Sequence, residues 1–229
     1  MPIDLPQAQL NFYHHHHYLE LEGFFNDGLP ILQSAIKEEL KMRLGKDPTT
    51  SSEAYTCGRD LWRDNTALRQ LVSTRDLALC ASKLSKRSSL VLAFDQLLFT
   101  PLANNTAPFN NPHTLQEISN VSSLACGLII NLSQTQTTNG EILSIEEDLT
   151  MLTPIPQTPG SVLFFSPDMP LNFQDLFATP SQTHLLIAYA NVKPLYIQNE
   201  IDPHAHALKK LGYGLGDHLS TKTHPLLIK

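Results

Sequence analysis

From residue 90 onward the sequence consists of short runs of leucine, β-branched and aromatic residues, and this pattern constrains the fold most. The runs lie at 90–100, 124–133, 141–145, 161–166 and 184–192, and segments rich in proline, asparagine, glycine and serine separate them. Residues of the first kind favour extended strands, and residues of the second kind favour turns and loops. Several short strands at this spacing are typical of a β-sandwich or a β-barrel.

The first third of the sequence has mainly helical periodicity. Asp27 is a candidate N-cap and Gly45 a candidate stop for one helix, and Ser73 begins a variant capping box before another. Apolar residues recur on one face of each segment: Leu32, Ala35, Ile36 and Leu40, then Leu77, Cys80, Ala81 and Leu84. The segment 46–58 is rich in threonine and serine and predicts a loop, whereas 18–22 alternates and predicts a short strand.

We therefore predict one domain of the mainly β class with N-terminal helices. Residues 1–88 would form a mostly helical support, 89–200 the core of the barrel, and 201–229 a C-terminal extension of helix and loop. The loops between the strands are long and polar, especially at 103–112 and 134–140, and such loops often carry function.

Charge and composition argue against several classes of partner. The 16 Lys and Arg residues are scattered in a chain of net charge −6, so no basic surface for nucleic acid is predicted. No stretch approaches the ~20 apolar residues of a membrane-spanning helix, and the first residues lack a signal-peptide pattern. Cys57, Cys80 and Cys126 are odd in number and widely spaced, as in reduced thiols. We expect a cytoplasmic protein that binds neither nucleic acid nor a membrane.

Four segments, in order and at similar spacing, resemble the phytanoyl-CoA dioxygenase family. They are the entry strand and turn at 18–25, the segment 58–65, the Pro-Gly-Ser turn with its strand at 159–165, and the strand at 185–189. The resemblance covers most of the chain. It implies N-terminal helices that brace a double-stranded β-helix, which is a cupin-like jelly-roll barrel. In that family the barrel normally holds Fe(II) and 2-oxoglutarate (α-ketoglutarate).

The residues that hold these cofactors are not found where the resemblance places them. The iron site needs two His and a carboxylate, as a His-x-Asp motif and a later His. At the position of this motif the sequence has His113 and Leu115, which lack the carboxylate. If the motif is instead aligned with Leu115 and Glu117, the histidine is lacking, so one ligand is missing in both alignments. No His lies in 166–172, and His184 stands where an Arg would bind 2-oxoglutarate. The sequence therefore predicts that no cofactor is bound.

Two histidine arrangements leave a metal role open. His113, Glu117 and His184 would form a non-standard ligand set if the barrel brings them together, with Fe(II) and 2-oxoglutarate as the alternative cofactors. The four histidines at 14–17 are donors that transition metals bind. Adjacent residues of a strand point to opposite faces, however, so ordinary solvated histidines are the favoured interpretation of this run.

Five polar side chains are candidates to line a pocket. Asp95 and Gln96 interrupt an otherwise apolar strand, and buried polar groups need partners. Asn172 and Tyr189 lie near positions that face the interior of the barrel in the resembling family, and Gln116 lies in the shifted motif. A satisfied structural network is the alternative interpretation for Asp95 and Gln96.

Two functions remain after this reasoning. In the first, a divergent phytanoyl-CoA-dioxygenase-like protein without standard iron chemistry binds a small molecule or a protein partner. In the second, the chain is a metal-dependent oxygenase, a dioxygenase or hydroxylase, with a non-standard ligand set. The missing ligands favour the first function, although a fold alone does not decide, because function depends on the site.

Overall fold

The computed structural model describes residues 4–25, 27–101, 107–133 and 154–229. The strand predicted at 141–145 and the loop predicted at 134–140 lie outside these residues, as does part of the loop predicted at 103–112. Within the described residues the chain forms one antiparallel sheet with helices packed against it.

The described helices and strands follow the chain in this order. The helices are α1 (Gln7–His16), α2 (Leu29–Leu44), α3 (Ser51–Cys57), α4 (Thr66–Val72), α5 (Arg75–Ser85), α6 (Phe173–Leu176) and α7 (Ala207–Lys210), and a 3₁₀ turn at Leu61–Arg63 precedes α4. The strands are β1 (Tyr18–Leu21), β2 (Leu90–Phe99), β3 (Leu124–Asn131), β4 (Val162–Phe165), β5 (Thr183–Ala190) and β6 (Leu226–Ile228).

The six described strands lie in the order β1-β4-β3-β5-β2-β6, and each pairs antiparallel with its neighbours. This arrangement confirms the coarser part of the fold prediction, a β-sheet accompanied by N-terminal helices. β2 and β5 end within two residues of the predicted bounds, because their apolar runs are long and are flanked by turn residues. β6 was not predicted, since three residues are too few for a pattern.

The sheet has two faces because successive side chains of a strand point to opposite sides. We call the side packed against α1, α2, α4 and α5 the helix face; its core includes Leu92, Leu128 and Ile187. We call the opposite side the inner face; there Ile129, Leu163 and Leu186 belong to a core that also contains residues of loops, α3, α6 and α7. The covering segments are joined by isolated antiparallel bridges, His113 with Leu171, Val121 with Tyr196 and Leu195 with His218.

Several local predictions for the N-terminal third were wrong. Segment 46–58 is not a loop throughout, because Thr50 caps α3 by accepting a hydrogen bond from the Glu53 backbone N–H at 3.1 Å. That Thr-x-x-Glu pattern is a capping box which the sequence displayed. Asp27 and Ser73 are not the N-caps of α2 and α5; Gly28 and a threonine occupy those positions without a side-chain cap.

The histidine run lies in a helix rather than in a strand. Three of the four histidines end α1 and the fourth follows it, and all four are exposed to solvent. The exposure agrees with the interpretation of the run as solvated side chains. No described helix is long and apolar enough to cross a bilayer.

Candidate functional site

The two segments in which the resemblance places the iron ligands meet on the inner side of the sheet. The backbone N–H of His113 donates to the carbonyl of Leu171 at 3.0 Å, and the N–H of Leu171 donates back at 2.9 Å. The Leu115 N–H continues the contact by donating to the carbonyl of Pro167 at 3.1 Å. The backbone therefore brings the His-x-Asp position beside the segment that should carry the later histidine.

The side chains at this meeting point are mainly apolar. Leu115 and Leu171 are fully buried and belong to the core of the inner face together with Phe109 and Phe173. The ring of His113 lies edge-on to Phe109, with ring centroids 5.2 Å apart. Only one of the three standard iron ligands, a histidine, is present at these positions.

Glu117 is close to His113 but turns toward solvent. Its Oε2 lies 3.9 Å from Nδ1 of His113 and accepts a hydrogen bond from the backbone N–H of Thr114 at 2.8 Å. This backbone hydrogen bond is the main reason that the pKa of Glu117 is lowered. The two residues form a weak surface ion pair when His113 is protonated.

His184 lies in β5, where it is opposite Leu98 of β2 and Asn131 of β3. The structure does not bring it together with His113 and Glu117 as a ligand set. Across the described ranges, no three His, Cys, Asp or Glu side chains are grouped so that they could hold a metal ion. The described residues therefore do not fit the iron site that the fold would imply.

The predicted pocket residues in the strands are divided between the two faces. Gln96 pairs with Leu186 on the inner face, where its Nε2 donates to the carbonyl of Tyr55 at 2.8 Å. Asp95 and Tyr189 lie on the helix face, and the hydroxyl of Tyr189 donates to the carbonyl of Val72 at 3.3 Å. Of these three candidates, only Gln96 can contact a ligand on the inner face.

The other two pocket candidates lie outside the sheet. Gln116 is exposed, and its Nε2 donates to Oδ1 of Asp168 at 3.2 Å. Asn172 is half-buried and caps α6 by accepting a hydrogen bond from the Gln174 backbone N–H at 3.1 Å. Both residues thus hold local backbone geometry at the segment that meets His113.

Asp95 is a fully buried carboxyl group whose two oxygens have no hydrogen-bond partner among the described residues. Burial, with a smaller contribution from the charge of Asp60, raises its pKa to about 8, whereas the backbone of Trp62 and the charges of Arg43 and Arg59 oppose the increase. Asp95 is therefore mostly protonated at neutral pH, and it sits among the helices rather than in a site for ligands.

One end of the inner face carries a row of buried polar side chains. His184 and Asn131 are cross-strand partners, and strand alternation points Ser161, at the start of β4, to the same side. Thr100 follows β2 at the same end, where its N–H donates to the carbonyl of Gln182 at 3.0 Å. Among the described residues, both ring nitrogens of His184 and the hydroxyls of Ser161 and Thr100 have no hydrogen-bond partner.

A second polar group lies farther along the inner face. Arg59 pairs with Gln96 in an antiparallel bridge, and its Nη2 forms an ion pair with Oδ1 of Asp202 at 3.1 Å. The guanidinium carbon lies 3.8 Å from the centre of the Phe94 ring. Oδ1 of Asp202 also accepts a hydrogen bond from the backbone N–H of His204 at 2.8 Å. Sequence reasoning found Gln96 but missed Arg59, Asp202 and His204, because the members of this group are far apart in the chain.

This second group also contains buried polar atoms without partners. They are Nε of Arg59, Oε1 of Gln96 and Nε2 of His204, within the described residues. Burial, with a smaller contribution from the charge of Arg59, lowers the pKa of His204 to about 3, and the backbone of Tyr55 partly offsets the change. Burial lowers the pKa of His184 to about 4. Both imidazoles are therefore neutral at neutral pH.

No protein-family model matches the sequence, and no curated protein matches it either. The fold is nevertheless similar to solved structures. A non-heme α-ketoglutarate-dependent carbocyclase, SnoK from nogalamycin biosynthesis, matches with a TM-score of 0.70 and 17% identity over 97% of this chain and 96% of that one. The α-ketoglutarate-dependent epimerase SnoN from the same biosynthesis matches with a TM-score of 0.67 and 16% identity over 97% and 98%.

A third similar structure is EctD from S. alaskensis with bound Fe, with a TM-score of 0.54 and 13% identity over 82% of this chain and 77% of that one. A structure of SnoN also contains Fe3+ and α-ketoglutarate. The chain thus has the fold of non-heme iron and α-ketoglutarate-dependent enzymes. Our prediction that no cofactor is bound was wrong as an inference from the sequence, because SnoN, which shares this fold, holds iron and α-ketoglutarate, and EctD holds iron.

Proposed function

We propose that this chain is a divergent, phytanoyl-CoA-dioxygenase-like protein that binds a small polar molecule on the inner face of its sheet. The sheet would form one half of a double-stranded β-helix, and the bridged segments around His113, Leu171 and Tyr196 would form the other half. The fold comparisons support this arrangement, and the short bridges between these segments are consistent with it. The predicted cytoplasmic location stays a prediction.

One observation carries the proposal. Nine buried side-chain nitrogen and oxygen atoms lack a hydrogen-bond partner in the described chain, and all except the two oxygens of Asp95 lie on or beside the inner face. A buried polar atom without a partner costs about 1–3 kcal/mol. A ligand that supplies the missing partners would recover this cost. The inner face is thus the surface that gains most from a polar ligand.

The donors of the alternative metal set are not grouped among the described residues. His113 and Glu117 are the only two candidate donors of the alternative set that approach each other among them. The polar row at His184 occupies the place where the resemblance expects the anchor for 2-oxoglutarate. Because His184 is neutral at neutral pH, it offers a hydrogen bond rather than a charge.

The proposal is tested by thermal shift and calorimetry with α-ketoglutarate, succinate and a set of small polar metabolites. A ligand that binds the folded state raises the melting temperature with its concentration. We expect the shift to fall in His184→Leu and Ser161→Ala, and to persist in His206→Leu, which removes an exposed histidine. Equal shifts in all four proteins, or no shift with any compound, would contradict the proposal.

A metal-dependent oxygenase is the second candidate function. The fold comparisons and the 3.9 Å approach of His113 to Glu117 favour it. The discriminating measurement is binding of Fe(II) to the purified, untagged protein without oxygen. Stoichiometric iron that is lost in His113→Ala would support this second function over the first.

A further inference from the structure

The polar group around Arg59 suggests the chemical class of the ligand, an inference that rests on the proposed function. Two of its members lie beside Tyr55: Gln96 donates to its carbonyl at 2.8 Å, and His204 packs near its ring. The rings of Tyr55 and His204 are 5.8 Å apart. Arg59 is joined to both sides of the group, by its bridge to Gln96 and through Asp202 to His204.

The group has no net charge. The positive charge of Arg59 is balanced by Asp202, whose side chain is completely buried, and His204 is neutral at neutral pH. An anion that entered this buried environment would lose its hydration without gaining an unpaired cation. The charge balance therefore favours an uncharged ligand over a carboxylate.

The unpartnered atoms specify a pattern of hydrogen bonds. Nε of Arg59 is a donor and Oε1 of Gln96 is an acceptor, and neither has a partner in the described chain. An amide carries an acceptor oxygen and a donor nitrogen, which complement this donor and this acceptor. The aromatic rings of Phe94 and Tyr55 lie beside the group and favour a flat molecule.

We propose that Arg59, Gln96 and His204 bind the amide group of a planar, uncharged small molecule. Arg59 donates to the amide oxygen, and Gln96 accepts a hydrogen bond from the amide nitrogen. Nε2 of His204 supplies a further donor or acceptor according to its tautomer.

The test uses benzamide and benzoate, which are similar in shape and differ in charge. Calorimetry on the full chain at neutral pH should show benzamide binding at least roughly tenfold more tightly than benzoate. Gln96→Met removes the acceptor at nearly constant volume and should weaken benzamide roughly tenfold, the effect of about one lost hydrogen bond. Gln70→Met replaces an exposed glutamine and should leave the affinity unchanged.

A second variant keeps the test informative if Gln96→Met does not fold. Gln96→Glu adds a negative charge at the same place and should shift the preference from benzamide to the cationic benzamidine. Tighter binding of benzoate than of benzamide, or benzamide binding that is equal in wild type and Gln96→Met, would overturn this inference. So would a benzamide-soaked crystal that contains only ordered water between the three side chains. If other metabolites still bind at His184, the proposed function survives that failure.

Discussion

His113 and Leu171 lie directly opposite each other and exchange two backbone hydrogen bonds, of 3.0 and 2.9 Å. Leu115, two positions after His113, is fully buried in the same core cluster as Leu171, and its N–H donates to the carbonyl of Pro167 at 3.1 Å. The backbone therefore holds His113, Leu115 and Leu171 close together, so that one metal donor lies beside two leucines.

We predict that Leu115→Asp combined with Leu171→His creates a metal site with His113. Two histidines and a carboxylate on neighbouring positions are the ligands that non-heme iron uses. Co(II), followed by its visible absorption, should bind at least about tenfold more tightly than to wild type, and it should raise the melting temperature because the new carboxylate is otherwise buried without a partner.

The matched control for this design is Leu171→His alone, which adds one donor and leaves the carboxylate position apolar. We expect its affinity for Co(II) to lie between those of wild type and the double variant. Co(II) binding of equal strength in the three proteins would show that these positions do not converge on one ion.

Asp95 should make the protein less stable as the pH rises. Its pKa in the folded state is raised to about 8 from an ordinary value of 3.8, so the folded protein retains a proton that the unfolded chain has lost between these values. The free energy of unfolding therefore decreases as the pH rises from about 4 to about 8. Asp95→Asn should remove this slope and increase stability at pH 8 by roughly 3–5 kcal/mol.

Urea unfolding at pH 5 and pH 8.5 measures this effect. Asp47→Asn, which replaces an exposed carboxylate, is the control and should leave the pH dependence close to that of wild type. A steep loss of stability between the two pH values that persists in Asp95→Asn would mean that another group titrates there.

The sequence predicted the strands well because each long strand carries its own local pattern. The runs that became β2 and β5 could be recognised without knowing their partners. Asp95 and Gln96 are adjacent in β2 and therefore point to opposite faces. Which of these faces is covered by α1, α2, α4 and α5 depends on contacts between distant segments, and no local pattern contains that information.

The candidate site was harder to predict for the same reason. Arg59 and Asp202 form a buried ion pair across 143 residues of sequence. A single arginine after a glycine and a single aspartate before a proline are unremarkable in a sequence read alone. The surroundings of His184 were equally hard to predict, because Asn131, which lies opposite it in the sheet, belongs to a different strand.

Buried histidines should make the protein sensitive to acid. The pKa of His184 is lowered to about 4 from an ordinary value of 6.5, so the unfolded chain binds a proton that the folded protein does not bind between these values. Stability is therefore lost as the pH falls from about 6.5 to about 4. This residue alone accounts for about 3 kcal/mol of that loss, at 1.36 kcal/mol for each pKa unit.

His184→Gln should reduce the acid-dependent loss of stability, since glutamine does not titrate in this range. Chemical unfolding at pH 7 and pH 4.5 gives the difference, and His206→Gln is the control because that histidine is exposed. The half-buried His204 and the buried His224 also have lowered pKa values, of about 3 and about 4, so part of the acid sensitivity should remain. An unchanged loss in His184→Gln would mean that its imidazole becomes solvated in the folded state.

The ring of Phe165 lies across Gly127 in the neighbouring strand, and the two residues are directly paired. A Cβ atom at Gly127 would come within 2.6 and 2.7 Å of the Cε atoms of this ring, which is closer than packed atoms allow. Gly127→Ala should therefore destabilise the protein by about 1–3 kcal/mol, the usual cost of overpacking a core. Phe165→Leu in the same chain removes the clashing ring, so the added cost of the alanine should be smaller in that background than in wild type. Urea unfolding of the four proteins in this cycle measures the coupling, and equal costs in the two backgrounds would show that the ring does not set the requirement for glycine.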